Sequence, residues 1–291
     1  MEWTESLKRA INYMEKHLLD DIGADEVAEE VYMSPFYFQK GFKIMTGYSI
    51  GEYIRNRRLY MAALDIISNK VKIIDLAYKY GYDNPESFTK AFSRFHGVSP
   101  KQLKEDTRKI KTFLPLKIIV SIRGGNDMDY TIEKMDMIKV IGYDRNFSYE
   151  TSYTEIPKFW DEFCKNCTDD KNNEEVKKVI EECMIGEFGI CIEDVPGNKE
   201  FRYMIAGKYN GGNVPEGMKI FEIPEIKWAK FKCRGPLPGA LQSVNTKIFK
   251  EWLPGNPDYE IAMGMNIEWY SNEDCKAFDY ESEIWIPVKE K

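Results

Sequence analysis

The sequence predicts a multidomain protein. An all-α N-terminal domain with two helix-turn-helix motifs precedes an α+β domain built from two strand-helix-strand-strand repeats. Three observations predict this fold class. The 291 residues are enough for two domains. The segment SPFYFQKGFKIMTG (34–47) returns in related form as NPESFTKAFSRFHG (84–97). Beyond residue 128 the chain becomes rich in Tyr, Phe, Trp, Ile and Val, residues that favour strands.

The repeated segment has the pattern of a short helix with the same two ends in both copies. Each copy opens with a polar residue and a proline, Ser34-Pro35 or Asn84-Pro85. A polar side chain at the N-cap accepts a free backbone N–H, and proline suits the first helical position. Two phenylalanines four positions apart share one face of each helix, and a glycine follows the last turn, where a left-handed C-cap is common.

A second helical pattern precedes each copy, in DEVAEEVYM and in IIDLAYKYGY. Two short helices joined by a tight turn form a helix-turn-helix, whose second helix commonly enters the major groove of DNA. A helical hairpin inside a bundle is the alternative, and the repeat favours DNA binding. The segment SIGEYIRNRRLYMAALDIISN (49–69) predicts a linking helix. It would span ~27 Å at ~1.5 Å per residue, comparable to one turn of DNA, ~34 Å.

The second half of the chain also repeats its order of elements. The predicted first unit has strands at 130–147, 188–193 and 201–209 and a helix at 157–167. The predicted second unit has strands at 219–223, 226–234, 259–269 and 279–289 and a helix at 241–252. Two such units in one sheet form an α+β domain with a groove between its halves, a place that ligands favour.

Composition excludes several classes of site. The chain holds 41 Lys and Arg against 48 Asp and Glu, although basic residues outnumber acidic ones between residues 43 and 109. Cys164 and Cys167 form a CxxC with no second pair and no nearby histidine, so we expect reduced thiols, no metal site and no cofactor. No apolar run reaches the ~20 residues of a membrane span, and the N-terminus lacks the layout of a signal peptide.

Residues 1–108 resemble the DNA-binding module of the AraC/XylS family of bacterial regulators. The resemblance rests on SPFYFQKGFKIMTGYSIGEYIRNRR and LAYKYGYDNPESFTKAFSRFHGVSPKQL. It implies that base-reading positions lie near the start of each recognition helix. The implied base-reading residues are Phe36, Gln39 and Lys40 in the first copy and Pro85, Glu86, Ser87 and Lys90 in the second. Lys43 and Arg94 are DNA-binding candidates for phosphate contacts. Arg55 and Arg57 of the linking helix are further candidates for phosphate contacts.

The side-chain chemistry of these positions fits DNA recognition. Gln39 can pair with adenine through two hydrogen bonds, and Lys40 or Lys90 can contact guanine or phosphate. Glu86 can accept a hydrogen bond from cytosine. The resemblance therefore predicts a sequence-specific DNA-binding protein with double-stranded DNA as a partner, and it adds RNA polymerase as a further expected partner.

Residues 129–291 resemble the GyrI-like effector-binding domain of multidrug-responsive regulators. The segments that carry the resemblance are IPKFWDEF, FRYMIAGKY, IFKEWLPGNPDYEIA, IEWY and YESEIWIPVK. The resemblance implies a small, aromatic or cationic effector, bound by a carboxylate among aromatic walls. The implied ligand-binding residues are Glu283, Trp160, Tyr203, Trp252 and Tyr270, with Phe147 and Trp285 as weaker candidates.

The strand pattern in DYESEIWIPV supports a role for Glu283. Alternation puts Glu281, Glu283 and Trp285 on one face of the strand. An ionised carboxylate in apolar surroundings is costly to bury, and a cationic ligand would relieve that cost. Aromatic faces would add ~0.5–2 kcal/mol each through cation–π attraction. Glu268 in IEWY is a second candidate carboxylate.

Three functions stay open at this stage. The first is a cytoplasmic bacterial transcription regulator that is not an enzyme. Its C-terminal domain senses a small molecule, and lipophilic cations are among the expected effectors. The second is a small-molecule hydrolase with Glu283 or Glu268 as general base. The third is a DNA-binding protein whose second half contacts only other proteins. The expected domains are 1–108 for DNA binding, 109–128 as a linker or edge strand, and 129–291 for the small molecule.

Overall fold

The computed structural model describes residues 3–68, 71–118, 128–168, 174–194 and 200–291. Contacts divide the chain into two compact units. One contains Met1–Met33 and Thr46–Ile122, and the other contains Ser34–Met45 and Arg123–Lys291. The segment that carries the first predicted recognition helix therefore belongs to the same unit as the C-terminal sheet. The domain bounds given above stay predictions.

The N-terminal third of the chain is helical, as the sequence predicts. In chain order the helices are α1 (Trp3–Lys16), α2 (Ala24–Glu30), α3 (Pro35–Thr46), α4 (Ile50–Ser68), α5 (Ile73–Lys79), α6 (Pro85–His96) and α7 (Pro100–Glu105). A 3-10 turn, Thr107–Lys109, follows. All except α3 belong to the first unit.

The predicted ends of the second recognition helix are confirmed. The side chain of Asn84 accepts a hydrogen bond from the backbone N–H of Ser87 at 2.8 Å. Gly97 adopts the left-handed conformation, with φ of 77°. Phe88 and Phe92 are fully buried in the core of the first unit, together with residues of α4, α5 and α7. The same face of α6 that the phenylalanine spacing marks as internal is thus internal in the fold.

Arg57 of α4 is not available for a phosphate contact in this fold. Its side chain is 5% exposed and forms an ion pair with Glu15. Two guanidinium nitrogens donate to the two carboxylate oxygens at 2.7 and 2.8 Å, and a third donates to the carbonyl of Phe113. The sequence makes Arg57 a candidate for a phosphate contact, but these acceptors hold its side chain inside the unit. Arg55 is exposed.

The C-terminal part of the second unit is an antiparallel sheet with helices. Its strands are β1 (Tyr130–Met135), β2 (Ile138–Ser148), β3 (Phe188–Ile192), β4 (Glu200–Lys208), β5 (Lys219–Ile223), β6 (Ile226–Arg234), β7 (Tyr259–Ile261), β8 (Met265–Tyr270) and β9 (Glu281–Glu290). Its helices are α8 (Ser152–Thr168), α9 (Glu174–Glu182) and α10 (Gly239–Lys247). A π-helical turn, Ile248–Trp252, and a helical turn, Leu253–Gly255, continue α10.

The strands described here form one sheet, in the order β1-β6-β9-β8-β3-β4-β2-β5, with β7 paired to β9. The predicted fold class is confirmed, including both strand-helix-strand-strand repeats in one sheet. The predicted single strand at 130–147 is two strands, because β1 pairs with β6 whereas β2 pairs with β4 and β5. Residues 110–118 have no regular secondary structure, and the rest of the predicted edge strand lies outside the described residues.

The register defines two faces of this sheet. One face carries a core cluster that includes Ile190, Met204, Ile267 and Trp285. We call the other the helix-covered face, because side chains of α8 and of the π-helical turn contact it. Glu268, Gly189 and Ile205 lie side by side across β8, β3 and β4 on this second face.

Candidate effector site and DNA-binding surface

Glu268 is the centre of a hydrogen-bonded aromatic cluster on the helix-covered face. The hydroxyl of Tyr270 donates to its carboxylate at 2.8 Å, and the hydroxyl of Tyr203 donates to the same oxygen at 3.2 Å. The indole N–H of Trp160, from α8, donates to the Tyr203 hydroxyl at 2.9 Å. The rings of Trp160 and Tyr270 meet edge to face with centroids 5.3 Å apart. Three aromatic side chains from separate elements therefore converge on one carboxylate.

A glycine in the intervening strand makes this arrangement possible. Tyr203 lies on β4 and Glu268 on β8, with β3 between them. A Cβ at Gly189 of β3 would lie 2.2 Å from the Tyr203 hydroxyl oxygen and 3.3 Å from Glu268 Oε2. The phenol can cross β3 to the carboxylate only because position 189 has no side chain.

The two phenols are held in their protonated, donating form. Burial raises the pKa of Tyr203 and of Tyr270 well above the ordinary value, and the negative charge of Glu268 raises the pKa of each further. Both hydroxyls consequently remain hydrogen-bond donors at neutral pH. They orient the carboxylate, which forms no ion pair with a Lys or Arg side chain among the described residues.

Next to this cluster, the sheet offers a buried amide. Asn266 lies two positions before Glu268, on the same face, and pairs in register with Cys191 of β3. The side-chain N–H₂ of Asn266 is buried and has no hydrogen-bond partner among the residues that the structure describes. Such a group is costly to leave unpaired.

Glu283 lies on the opposite face of the sheet. It stands directly across from Trp269, the neighbour of Glu268 in β8, so Glu283 and Glu268 point to opposite sides. The indole N–H of Trp285 donates to Glu283 at 2.5 Å, and Lys230 Nζ lies 4.3 Å from the Trp285 ring centroid. The structure therefore does not bring Glu283 to Trp160, Tyr203 and Tyr270.

Two further predicted wall residues, Trp252 and Phe147, pack against aromatic rings of the helix-covered face. Trp252 packs edge to face on Phe231, with centroids 4.9 Å apart, and on Tyr130, at 5.6 Å. Its indole N–H is buried without a partner in the described part of the chain. Phe147 is closer to the cluster, because its ring contacts Tyr203 edge to face at 6.2 Å.

The sequence offers Glu268 as a second candidate carboxylate beside Glu283. The signal in favour of it is the segment Asn266–Tyr270, where alternation puts Asn266, Glu268 and Tyr270 on one face. The contact of Tyr203 with Glu268 depends on the order of the strands in the sheet, which cannot be deduced from the alternation within one strand.

The predicted DNA-binding residues of the second copy form an open surface. Glu86, Ser87, Lys90 and Arg94 are all exposed on α6. Those of the first copy differ: Phe36 is 2% exposed, and Gln39, Lys40 and Lys43 are half-buried. Within the second unit, Lys40 Nζ donates to the Asn266 side-chain oxygen at 3.3 Å, and Lys43 Nζ lies 4.7 Å from the Tyr153 ring centroid.

The described residues contain no group of three or more His, Cys, Asp or Glu side chains arranged to hold a metal ion. Cys164 is exposed, and the side chain of Cys167 lies outside the described residues. Among the helices described, none is both long and apolar enough to cross a membrane.

Comparison with known proteins gives the family. A profile described as integron-associated effector binding protein matches residues 131–288, more than half of the chain. The chain belongs to this family. A second profile, a helix-turn-helix domain, matches residues 27–106. The protein thus combines an N-terminal AraC-type helix-turn-helix domain with a GyrI-like effector-binding domain, as the resemblances predicted.

Curated relatives match part of this effector-binding family member. The transcriptional activator AarP of Providencia stuartii is 33% identical over 88 residues, which are 30% of this chain and 65% of AarP. The TetD protein of transposon Tn10 from Escherichia coli is 33% identical over 103 residues, 35% of this chain and 75% of TetD. Both matches fall short of the full length of the relative, and both cover about a third of this chain.

A solved structure is similar to the effector-binding domain. It is SAV2435 bound to tetraphenylphosphonium, with a TM-score of 0.45 and 19% identity, and the match covers 56% of this chain and 94% of SAV2435. The domain composition is that of AraC-family transcription regulators with a small-molecule-binding domain.

Proposed function

We propose that the effector-binding domain binds a bulky aromatic cation on its helix-covered face, with Glu268 as the charge partner. We call this region the effector groove: the part of that face around Glu268 and Asn266, beneath α8. The observation that carries the proposal is the half-buried carboxylate of Glu268, which accepts two phenol hydrogen bonds and forms no ion pair with a described Lys or Arg side chain. A partly desolvated carboxylate attracts a cation more strongly than an exposed one does.

The surroundings of Glu268 suit an aromatic ligand. Trp160 and Tyr270 present rings at right angles to each other, which offers both a face and an edge to a guest. Cation–π attraction at such rings contributes about 0.5–2 kcal/mol each. The unpaired amide N–H₂ of Asn266 adds one polar contact for orientation.

Tetraphenylphosphonium tests this proposal because it carries a fixed charge and four phenyl rings. We expect calorimetric titration of the full chain to show binding that weakens at least about tenfold in Glu268→Gln. Glu283→Gln is the matched control, since it removes the same charge from the other face of the sheet, and it should bind like wild type. Neutral triphenylphosphine oxide should bind wild type more weakly. Equal affinity of wild type and Glu268→Gln for the cation would refute the role of Glu268.

The proposed use of this binding is transcriptional control. The exposed residues Glu86, Ser87, Lys90 and Arg94 of α6 form one proposed DNA-reading surface. The ligand must bind two states of the protein with different affinity in order to change DNA binding or contacts with RNA polymerase, the proposed further partner. Because the chromosome is the target, we place the protein in the cytoplasm.

We further propose that the ligand is bound without being converted. Two phenols donate to one oxygen of Glu268, Oε2, and hold the carboxylate in place as a charge partner. Proton transfer by a general base would also need a substrate atom or a water molecule placed within hydrogen-bond reach of that carboxylate. Chromatography of tetraphenylphosphonium after long incubation should return the compound unchanged.

A further inference from the structure

Helix α3, the first predicted recognition helix, lies against the effector groove within the second unit. The hydroxyl of Tyr37 donates to the backbone carbonyl of Met265, at the start of β8. Its ring lies 6.4 Å from that of Phe249 in the π-helical turn. Phe36 packs edge to face on Phe201 of β4 at 5.5 Å. The helix therefore touches the sheet and the π-helical turn through one face.

This contact is built from fully buried groups. Tyr37 is 1% exposed and Phe36 is 2% exposed. Burial raises the pKa of the Tyr37 hydroxyl well above the ordinary value, so it stays protonated and keeps donating to the carbonyl of Met265. Burial of two aromatic side chains, with a satisfied hydroxyl, is typical of a packed core and not of a loose surface encounter.

Glu193 binds the N-terminus of α3. Its carboxylate accepts hydrogen bonds from the hydroxyl of Ser34 and from the backbone N–H of Phe36, the latter at 3.1 Å. The first-turn N–H groups of a helix carry partial positive charge and attract anions, including phosphate. Glu193 thus occupies the position of an anion at the end of the helix that is predicted to approach DNA.

A glycine in the next loop keeps the Glu193 side chain in place. The backbone N–H of Glu193 donates to the carbonyl of Gly264 at 2.8 Å. A Cβ at Gly264 would lie 2.0 Å from the Glu193 Oε2 atom. The carboxylate can lie along this loop only because position 264 is glycine, so the contact with α3 is supported by two segments of the sheet.

A lysine of α3 contacts the same face of β8 as the proposed ligand site. Lys40 Nζ donates to Asn266 at 3.3 Å, and Asn266 lies on the face of β8 that carries Glu268. The ammonium group of Lys40 is thus a cation on the same face of β8, at a residue two positions before Glu268. The effector groove already contains an intramolecular positive charge with aromatic neighbours.

The face of α3 used here is the face that DNA recognition requires. Phe36, Gln39 and Lys40 are its predicted base-reading residues, and one side of a helix cannot lie in a protein groove and in a major groove at once. We propose that the effector groove holds α3 as an internal occupant, withholding it from DNA, and that an external cation and α3 exclude each other. The second part rests on the proposed ligand site at Glu268.

Variants on the sheet side test the first part without altering α3. In full-length Glu193→Gln and Asn266→Ala we expect backbone hydrogen exchange in residues 35–46 to become faster than in wild type. Affinity for a duplex selected from a random-sequence pool by the wild-type chain should rise at least about tenfold at fixed salt. Glu200→Gln removes one negative charge from an exposed position at the start of β4 and should change neither quantity.

The outcomes separate the two proposals. If both variants keep the exchange rates and the DNA affinity of wild type, the internal-occupant inference is overturned. Asn266→Ala does not change charge, so a gain in DNA affinity there cannot come from lower electrostatic repulsion. Unfolding temperatures show whether each variant is folded. The double variant Glu193→Gln/Asn266→Ala repeats the exchange and DNA-affinity measurements with both contacts removed.

Tetraphenylphosphonium tests the exclusion. Faster exchange in residues 35–46 of the wild type, in proportion to occupancy, would support the inference. Binding of the cation with unchanged exchange in α3 would overturn it and leave the ligand site standing. Failure of the cation to bind would count against the ligand site alone, and the two variants would still decide whether α3 is withheld.

Discussion

Tyr203 reaches Glu268 through the space that a side chain at Gly189 would fill. The strands that carry the two residues are not neighbours, and β3 between them contributes only backbone at this point. A Cβ at Gly189 would lie 2.2 Å from the phenol oxygen, which is well inside contact distance. The hydrogen bond from Tyr203 to Glu268 therefore depends on a third residue, Gly189.

Substitution of that third residue is the sharpest test of the cluster. We expect Gly189→Ala to displace the Tyr203 phenol, to break its hydrogen bond with Glu268, and to weaken tetraphenylphosphonium binding about tenfold or more. Overpacking of this kind costs roughly 1–3 kcal/mol of stability. Calorimetry and urea unfolding measure the two effects. Gly239→Ala is the matched control, because a Cβ there meets nothing within 4 Å. Wild-type ligand affinity in Gly189→Ala would contradict the cluster.

The protonated phenols predict a dependence of stability on alkaline pH. The pKa values of Tyr203 and Tyr270 are raised in the folded chain, by burial first and by Glu268 second. The folded state therefore keeps protons that the unfolded state loses above a pH of about 10. Their contribution is complete below that pH and is lost as the pH rises toward the folded pKa values.

The measurement is the free energy of unfolding by urea between pH 8.5 and 11. Tyr270→Phe removes one of the titrating groups, so stability should decline less steeply with pH than in wild type. Tyr259→Phe is the control: it removes a half-buried tyrosine of β7, which pairs with the last residues of β9, and it should leave the slope as it is. Identical slopes for wild type and Tyr270→Phe would argue against the raised pKa.

The buried ion pair in the first unit predicts a large loss of stability. Arg57→Met leaves the Glu15 carboxylate without its two guanidinium donors. Removal of one partner of a buried pair costs about 3–5 kcal/mol, although the partial exposure of Glu15 (22%) reduces this toward the lower end. Urea unfolding followed by circular dichroism measures it. Arg55→Met is the control on the same helix, and it should cost no more than about 0.5 kcal/mol, since Arg55 is exposed.

The exposed surface of α6 predicts an effect on DNA binding. Lys90→Ala should weaken binding to the selected duplex and, if Lys90 contacts phosphate, reduce the slope of log affinity against log salt by about 1. Lys178→Ala is the control, since Lys178 is an exposed lysine of α9 paired with Glu182. Fluorescence anisotropy at four salt concentrations provides both quantities. An unchanged affinity in Lys90→Ala would remove α6 from the proposed DNA-reading surface.

The sequence predicts the elements well where local chemistry decides them. Asn84, Pro85 and Gly97 define the two ends of α6 in the sequence and in the fold, because caps act over three or four residues. The strand-helix-strand-strand order in the second half is equally local, since it follows from the period of apolar residues. The single predicted strand at 130–147 needed two, because the partner of each part lies far away in sequence.

The candidate site was only partly predictable because it depends on strand order. Glu283 and Glu268 both sit in apolar strand segments, and alternation alone cannot say which face of the sheet receives α8. The pairing of β3 with both β4 and β8 decides it by bringing Tyr203 and Glu268 to either side of Gly189. The contact of α3 with Glu193, 157 residues from Phe36, is likewise beyond any local pattern.

The two related helices have unequal access to solvent. The predicted reading residues of α6 are exposed, whereas Phe36 of α3 is buried. In this state, of the two predicted recognition helices, only α6 would be accessible to a promoter. The protein would then protect roughly half the length of DNA that two bound helices would protect. The slope of log affinity against log salt would also be shallow, because few phosphates are contacted. Duplication of the motif would thereby allow DNA binding in two steps. Helix α6 would bind DNA first and weakly, and α3 would add its contacts only after its release.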